Sequence, residues 1–454
     1  MPPDAPSAAK PPDTPSAAKP PDTSRAQGHP SMNAHDLDRH DGDAPIFDRA
    51  AFRLDDTEAE LIAGARRFGR QRLAPRAAQH DRDATFPMEN FRDMHAEGLL
   101  AICVPKDEGG AGATFRAYCL AASELGRYCG ATALSWNMHV CSTLWTGALA
   151  DDLIMTADER REHNERRRLH YKRIVGDGAI YAQPFSEGGA AAAGTVAFGT
   201  EARSVAGGFV LNGKKIFASL SGAADYYGVL CTERGEGEKA SRRNTLYLAV
   251  PAAAAGVSVV GDWDPLGMRG TVSRTLLFNN VFVPEDEMLM PRGVYFRAAS
   301  CWPHMFLTLS PTYMGLAQAA YDFTVAYLRG ELPGTAPVKR RMFPTKQIAV
   351  AEMRVMLEQT KGLWFQAISE ARANPAKEQV LRAYAAQFTV MENANALAAR
   401  AIRTCGGQAM LKNLALERIY RDSRCGSLML PWTAEICLDR LGRESLYEAG
   451  ERDD

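Results

Sequence analysis

The spacing of hydrophobic residues changes twice along this chain, and that change limits the folds it can adopt. Residues 45–177 carry apolar side chains at helical spacing. Residues 178–292 carry short alternating segments between Gly, Asn-Gly and Pro turns, and residues 293–447 return to long amphipathic patterns. Helices that precede and follow a block of strands are typical of an α+β protein. We therefore predict a helical N-terminal domain, a middle antiparallel β-barrel domain and a C-terminal four-helix bundle.

Local signals refine two of these elements. Asp55 or Thr57 is placed to cap the first long helix, because a side-chain oxygen there can accept from free backbone N–H groups. The phrase GGFVLNGKK predicts strand ends around turns, since Gly and Asn tolerate positive φ.

The two ends of the chain have a different composition from the rest. Residues 1–44 are rich in Pro, Ala, Ser and Asp and contain the near repeat AAKPPDTPSAAKPPDTS. Such a segment has too little apolar surface to offset the entropy lost on ordering. We expect a disordered leader over residues 1–44 and a short tail over residues 448–454.

Composition excludes several classes of protein. A formal net charge of -1 argues against a nucleic-acid-binding protein, which would be basic. No apolar run approaches the roughly 20 residues that span a bilayer, and no signal peptide is recognisable. The 9 Cys are scattered without a CxxC pair, which predicts free thiols in a reducing cytoplasm and no metal site.

Four phrases carry a resemblance to a known family. They read YAQPFSEGG, GFVLNGKKIFASLSGAADYY, DPLGMRGTVSRTLLFNNVFVPEDEML and IRTCGGQAMLKNLALERIYRDSRCGSLMLPWTAEICLDRLGR. Together with the α–β–α order they resemble the acyl-CoA dehydrogenase family over about residues 47–447. The resemblance implies an FAD-dependent oxidoreductase acting on acyl-CoA or a carrier-bound thioester. The sequence contains no P-loop, GxGxxG or GxSxG motif, so any cofactor must be bound without these motifs.

The first phrase matches the family's flavin-contacting Thr-Glu segment. Ser186 takes the place of the Thr, and Tyr181 and Phe185 lie just upstream. Beyond it Ala190 falls where the family has a Gly-Ser-Asp segment, whose Ser contacts the thioester. A Gly- and Ala-rich surface turn is the alternative interpretation of this phrase.

The second and third phrases match the family's middle domain. Phe217 stands at the aromatic position beside the isoalloxazine, and Ser219 stands at the hydroxyl position near flavin N5. A hydroxyl suits that place because it both donates and accepts hydrogen bonds. Arg269, Ser273 and Arg274 match a Gly-x-Arg-Gly loop, where Arg269 has either a substrate-binding or a structural role.

Several residues in the C-terminal region match family residues that bind FAD across a subunit boundary. Gly406 and Gly407 would let backbone approach the pyrophosphate of a neighbouring subunit's FAD. In KRRMFPTKQ, Phe343 and Gln347 match residues that reach a partner's FAD, and one of Lys339, Arg340 or Arg341 would bind its pyrophosphate, with Arg340 as our choice. The remaining flavin-side matches are Arg403, Thr433 and Glu435. The resemblance thus implies a homodimer or homotetramer.

The catalytic base of the family is absent from both of its known positions. Where most members place a Glu before Gly-Thr, this chain has Leu430–Trp432. In some members the Glu, followed by an Arg, comes from a helix upstream of a Gly-Leu-x-Gln phrase, which is Gly315–Gln318 here. Counting back from that phrase places Met305 and Phe306 at the Glu and Arg positions. None of these side chains accepts a proton. We expect Met305, Phe306, Leu430 and Trp432 to build an apolar substrate pocket.

Two other residues are candidates for the base. His304 lies next to Met305 and titrates in the right range, although a His between aromatic residues is more often packed than catalytic. Glu435 is the other candidate, although it matches a flavin-side position.

Three functions are compatible with these matches. The first is Cα–Cβ dehydrogenation of an acyl thioester with a non-standard base, with an electron-transfer flavoprotein as acceptor. The alternative is a flavin-dependent oxygenase that uses O2 on a cyclic or aromatic-derived CoA thioester, as in tropone biosynthesis. A non-catalytic scaffold is the third, and it conflicts with the preserved flavin-side phrases.

Overall fold

The chain folds as helices, then a sheet, then helices, which confirms the predicted α+β class. The computed structural model describes residues 44–188, 196–235, 237, 239–332, 335, 337–448 and 451. The predicted leader, apart from its last residue, lies outside the described residues, as do most of the tail and Ala190. No helix in the described part of the chain is long and apolar enough to cross a membrane.

The N-terminal region is helical, and its first long helix begins where a cap was predicted. Asp55 accepts from the backbone N–H of Glu58 at 2.8 Å, and the Glu58 carboxylate accepts from the Asp55 N–H at 3.1 Å. This reciprocal pair satisfies two N–H groups at the helix start. The helices are α1 (Arg49–Phe52), α2 (Asp56–Phe68), α3 (Ala74–Asp83), α4 (Met88–Ala96), α5 (Phe115–Tyr128), α6 (Gly130–Leu144) and α7 (Ala157–Lys172).

Over its described residues, the middle region forms one sheet of eight strands. The strands are β1 (Tyr181–Ala182), β2 (Glu201–Val205), β3 (Gly208–Ala218), β4 (Tyr226–Glu233), β5 (Thr245–Pro251), β6 (Val257–Val260), β7 (Arg274–Pro284) and β8 (Met288–Met290). Their order is β6-β7-β3-β2-β4-β5-β8, and β1 also pairs with β4.

The sheet is mixed, whereas the sequence predicted an antiparallel one. β1 pairs with β4 in parallel, with Tyr181 opposite Tyr226, and β2 pairs in parallel with the far end of the same strand. β1 and β2 therefore lie along the same edge of β4, one at each end of that strand. Alternation of apolar residues reports which face is buried but not the direction of the neighbouring strand.

The phrase GGFVLNGKK has a turn at its first glycine, as predicted, whereas the turn predicted at Asn212-Gly213 is wrong. Both residues lie inside the continuous strand β3, and the turn precedes it at residues 206–207. The register against β7 shifts between Leu211 and Gly213, where Gly213 adopts φ 147°. A Cβ there would lie 2.6 Å from Cα of Thr200, so the glycine permits a bulge rather than a turn.

The C-terminal helices pack on the N-terminal ones to form a continuous core. They are α8 (Val294–Cys301), α9 (Ser310–Arg329), α10 (Pro344–Ser369), α11 (Lys377–Cys405), α12 (Ala415–Arg424) and α13 (Ala434–Leu446). α9 crosses α5 so closely that a Cβ on Gly315 would lie 2.2 Å from the carbonyl oxygen of Ser123. This contact brings α6, next to α5, against the chain that leads into α9.

Candidate functional site

The main cavity lies where the three regions meet, and its volume is about 460 Å³. That size is typical of a site for a small molecule or a cofactor ring. Its walls come from α6, the chain after β1, the end of β3, the loop before β7, the turn before α9 and the chain after α12. The lining residues are Leu134, Asn137, Met138, Cys141, Trp145, Gln183, Phe185, Ser186, Gly188, Ile216, Phe217, Ser219, Trp263, Pro265, Gly267, Met268, Thr271, Ser273, Phe306, Thr308, Leu309, Cys425, Leu428, Met429, Leu430 and Pro431.

Phe217 projects from the end of β3 into this cavity. The register against β7 is irregular between Lys215 and Ala218, and Phe217 adopts a positive φ of 51°. Such a conformation is costly for a bulky residue and is found mainly at functional sites. The side chain is 69% exposed, with its ring edge-on to Trp263 at 6.5 Å. The bulge thus presents an uncovered aromatic ring to the cavity.

Three hydroxyl groups form a chain beside Phe217. The Ser219 oxygen lies 2.8 Å from that of Ser273, which lies 2.7 Å from that of Thr271. The loop that carries Thr271 and Ser273 is strained, since Met268 and Val272 adopt positive φ of 56° and 44°. Sequence reasoning missed Thr271, although hydroxyl residues at positions 271 and 273 next to a Gly-x-Arg-Gly match were the available signal.

A buried ion pair holds the chain that carries Ser186. The Lys215 ammonium lies 2.7 Å from the Glu187 carboxylate and is fully buried. Burial lowers the pKa of Lys215, against the opposing effect of Glu187. Glu187 also accepts from the backbone N–H groups of Gly199 and Thr200, and the Ser186 carbonyl accepts from Ile216 at 2.8 Å. Ser186 is therefore fixed against β3 at the cavity wall.

Four predicted cofactor residues meet at this cavity, namely Phe185, Ser186, Phe217 and Ser219. Aromatic surface beside hydroxyl groups fits a flat ring system with a polar edge, as in the isoalloxazine of a flavin. Tyr181 is not among them. It is fully buried, its hydroxyl lies 2.9 Å from Nδ1 of His170, and its ring stacks on Tyr226 at 4.9 Å.

The predicted substrate residues in the described part of the chain lie in three places. Phe306 and Leu430 line the cavity, whereas Met305 and Trp432 are buried in the core behind it. Arg269 lies on a separate charged cavity of about 340 Å³. Its guanidinium donates to the Asp81 carbonyl at 2.7 Å and to the Asp264 carboxylate, so it joins α3 to the loop before β7.

Neither predicted base lines the cavity. His304 is fully buried, and burial lowers its pKa to about 4 against an opposing contribution from the Gln379 backbone. Glu435 is exposed in the first turn of α13. A base must lie within hydrogen-bond reach of the proton it removes. The described residues contribute no Asp, Glu, His, Lys or Arg to the cavity wall.

On the described part of that wall, only two groups titrate, and both are thiols. Burial raises the pKa of Cys141 and of Cys425, each to about 12. Both thiols therefore stay protonated at neutral pH, and the cavity is uncharged over the described part of its wall.

Comparison with known proteins matches all three regions to one family. The models of the acyl-CoA dehydrogenase N-terminal, middle and C-terminal domains match residues 55–148, 185–281 and 307–428. The chain belongs to the acyl-CoA dehydrogenase family. It is therefore a flavin-dependent oxidoreductase, and its cofactor is FAD.

Individual relatives of this acyl-CoA dehydrogenase family member differ in function. The chain is 28% identical over 375 residues to the human mitochondrial short-chain specific acyl-CoA dehydrogenase, covering 82% of this chain and 86% of that protein. It is 28% identical to the 3-(aryl)acrylate reductase of Clostridium sporogenes, covering 79% of this chain and 91% of that protein.

Solved structures with the same fold also differ in function. A nitrososynthase from Micromonospora carbonacea var. africana superimposes with a TM-score of 0.69 at 25% identity, covering 87% of this chain and 98% of that one. Butyryl-CoA dehydrogenase from Megasphaera elsdenii also superimposes with a TM-score of 0.69. It is 21% identical, and the match covers 86% of this chain and 98% of that one. The latter shows the shared fold alone.

The residues predicted to reach FAD across a subunit boundary do not line the main cavity. The Arg340 guanidinium lies over the Tyr327 ring at 4.8 Å, and the Gln347 amide donates to the carbonyl of Arg341. Gly406 ends α11 with φ 87°, and a Cβ on it would meet nothing within 4 Å. The others are at the surface or at a helix start: Phe343, Arg403 and Gly407 are exposed, and Thr433 caps α13.

Proposed function

We propose that this protein is a flavin-dependent oxygenase that uses O2 on a cyclic or aromatic-derived acyl thioester. The observation that carries the proposal is the uncharged main cavity, whose described wall holds no carboxylate and no imidazole. Dehydrogenation by the family's usual route needs a base at the substrate α-carbon. Oxygenation of an electron-rich ring has no such requirement.

FAD would lie against Phe185, Ser186, Phe217 and Ser219, which share the cavity. When reduced by an external two-electron donor such as a reduced nicotinamide, the bound flavin would supply the electrons that let one atom of O2 enter the substrate and the other leave as water. The Ser219 hydroxyl, linked to Ser273, is placed to donate or accept at the polar edge of the ring.

Aromatic side chains form the substrate side of the same cavity. The Phe306 ring lies 5.7 Å from Phe185 and 6.3 Å from Trp145, both in edge-to-face contact. Such a wall excludes water and favours a flat or cyclic group over a polar one. The 3-(aryl)acrylate reductase among the sequence relatives, whose name specifies an aryl group, supports a ring-bearing substrate.

Cα–Cβ dehydrogenation is the second candidate, and the match to short-chain specific acyl-CoA dehydrogenases favours it. An electron-transfer flavoprotein would then accept the electrons. The base would have to come from outside the described wall.

One experiment distinguishes oxygenation from dehydrogenation. The purified holoenzyme is mixed anaerobically with phenylacetyl-CoA, cyclohexanecarboxyl-CoA and butyryl-CoA. We expect no loss of flavin absorbance, whereas chemically reduced enzyme mixed with ¹⁸O₂ and a thioester that has an electron-rich ring, 4-hydroxyphenylacetyl-CoA, should give a product with one labelled atom. Anaerobic bleaching by a thioester, without label incorporation, would support dehydrogenation instead.

The surface of α10 supports assembly into a homodimer or homotetramer. It exposes an apolar stripe that begins just before the helix: Met342, Phe343, Ile348 and Val355 are each more than half exposed. Apolar patches of this kind mark subunit contacts. We expect a multi-subunit mass by light scattering and a monomer from Ile348→Glu. A monomeric wild-type enzyme would contradict this.

A further inference from the structure

A second cavity lies on the other side of the loop before β7, and its volume of about 340 Å³ is within the range of ligand sites. Pro265 and Gly267 of this loop line the main cavity, whereas Leu266 and Arg269 line the second one. Five cationic and three anionic side chains give the described wall a net charge of +2, and we term this site the charged cavity. Its lining residues are Ala78, Asp81, Arg82, Asp264, Leu266, Arg269, Lys412, Glu417, Arg418 and Arg421.

The three carboxylates of the charged cavity are already paired. Arg421 lies 2.6 Å from the Asp81 carboxylate and 2.8 Å from that of Glu417. Asp264 pairs with Arg269. Two of the five cations therefore take up all the negative charge of the described wall. The cations that remain are Arg82, Lys412 and Arg418.

Arg418 and Lys412 make no hydrogen bond or ion pair with other described residues. Lys412 is exposed and Arg418 is half-buried, so both can be reached from solvent. Burial raises the pKa of Asp422 and the charge of Arg418 opposes this, but no hydrogen bond joins the two. The N–H groups of Arg418 therefore remain available, and a guanidinium group binds phosphate oxygens in a bidentate manner.

The unpaired cations converge from two parts of the fold. Arg82 belongs to the last turn of α3, with 72% of its side chain exposed and only its neighbour Asp83 nearby, at 3.8 Å. α12 begins between Lys412 and Glu417, and no side chain caps its first N–H groups. Like charges repel when no counter-ion is present, and the start of a helix adds partial positive charge. An anion in the cavity would be stabilised by all of these groups.

We propose that the charged cavity binds the diphosphate group of a nucleotide-type ligand through Arg418 and Lys412. A diphosphate diester carries two negative charges, which match the net charge of the described wall, and the volume exceeds the needs of a single phosphate. CoA and the nicotinamide dinucleotides share this group. The proposal goes beyond the proposed function and does not depend on oxygenation. The shared loop would place such a ligand next to the main cavity.

Isothermal titration of the flavin-loaded protein with inorganic pyrophosphate tests the proposal. At low ionic strength we expect one site per subunit, with an affinity that falls as salt is added. Arg418→Gln should weaken binding by about tenfold or more, as the loss of a charge-assisted hydrogen bond predicts. Lys412→Gln should also weaken it, and Arg418→Lys, which keeps the charge, should have an intermediate effect.

Arg424→Gln is the matched control. Arg424 belongs to the same helix and pairs with Glu392 at 3.4 Å, but it does not line the charged cavity. Its replacement changes the net charge of the protein as Arg418→Gln does, and it should leave the affinity for pyrophosphate unchanged. The flavin content of every variant is measured in parallel.

Competition by CoA, NADPH and ADP then identifies the source of the diphosphate. The ligand that belongs here should displace pyrophosphate from the wild type and bind more weakly to Arg418→Gln. The main cavity cannot imitate this dependence through its described wall, which contributes no cation.

Three results would overturn the proposal. The first is no binding of pyrophosphate to the wild type, and the second is an equal loss of affinity in Arg418→Gln and Arg424→Gln. The third is loss of flavin from Arg418→Gln, because the cavity would then belong to FAD. None of them bears on oxygenation, which is tested separately by the incorporation of labelled oxygen.

Discussion

The side-chain oxygen of Ser219 lies 2.8 Å from that of Ser273, although the two residues are 54 positions apart in the chain. Ser219 follows the bulged end of β3, and Ser273 ends a strained loop just before β7. The contact joins the two segments that carry positive-φ residues at the cavity. It also means that the predicted flavin contact depends on a residue outside its own phrase.

Ser219→Ala should slow flavin-dependent turnover by at least about tenfold, because it removes a hydroxyl from the polar edge of the flavin site. The flavin content should stay close to that of the wild type, since the aromatic contacts remain. Stopped-flow reoxidation with substrate measures the rate. Ser221→Ala is the control, because its hydroxyl bonds only to backbone of Val272 and Arg274. An equal loss of rate in both variants would indicate a general effect on folding.

The rate of the oxygen-dependent half-reaction should be flat over roughly pH 6 to 9, because the described cavity wall holds no group that titrates there. The thiols of Cys141 and Cys425, with pKa values of about 12, remain protonated throughout. His304, with a pKa of about 4, remains neutral.

The corresponding variant is His304→Gln, whose pH profile should match that of the wild type. A bell-shaped profile, or a step near neutrality that disappears in His304→Gln, would restore His304 as the base. Rapid-mixing rates of both proteins across the pH series show whether His304 acts as the base.

Asp422 should make the protein less stable as the pH rises. It is buried, its carboxylate accepts from the Met268 N–H at 2.6 Å, and burial raises its pKa to about 6 from an ordinary 3.8. The folded state therefore binds this proton more tightly than the unfolded chain. The resulting stabilisation is complete below about pH 4 and is lost as the pH rises through about 6.

Asp422→Asn keeps an acceptor for Met268 and has no charge to bury. At pH 8 it should increase the free energy of unfolding by up to about 3 kcal/mol, and the gain should shrink towards zero near pH 4. Urea unfolding at several pH values measures this. A variant less stable than the wild type at pH 8 would mean that the ionised carboxylate stabilises the loop before β7.

Gly315→Ala should destabilise the protein by roughly 2–4 kcal/mol, because the new Cβ would lie 2.2 Å from the Ser123 carbonyl oxygen of α5. Gly362→Ala is the matched control, since that glycine lies within α10 and a Cβ there would meet nothing within 4 Å. The control should gain up to about 1 kcal/mol from helix propensity. Thermal and urea unfolding of the two variants measure the difference, and similar stabilities would contradict the close crossing of α5 and α9.

Much of the fold could be predicted from the sequence because it depends on local periodicity. The change of hydrophobic spacing indicated the order of helices, strands and helices, and Asp55 indicated the start of α2. The direction of β1 and β2 beside β4 could not be obtained this way, because strand direction depends on a partner distant in sequence. Gly213 could not be assigned to a bulge from the sequence, because glycine is typical of both bulges and turns.

The sequence by itself determined the side chains at the positions proposed to face the flavin, among them Phe185, Ser186, Phe217 and Ser219, and the absence of a carboxylate from both usual positions of the base. Only the tertiary structure decided which residues share the cavity. It placed Tyr181, Met305 and Trp432 in the core and brought Asn137, Thr271 and Ser273 to the wall. The physical reason is that a cavity is bounded by elements distant in sequence, so its wall cannot be read from any one of them.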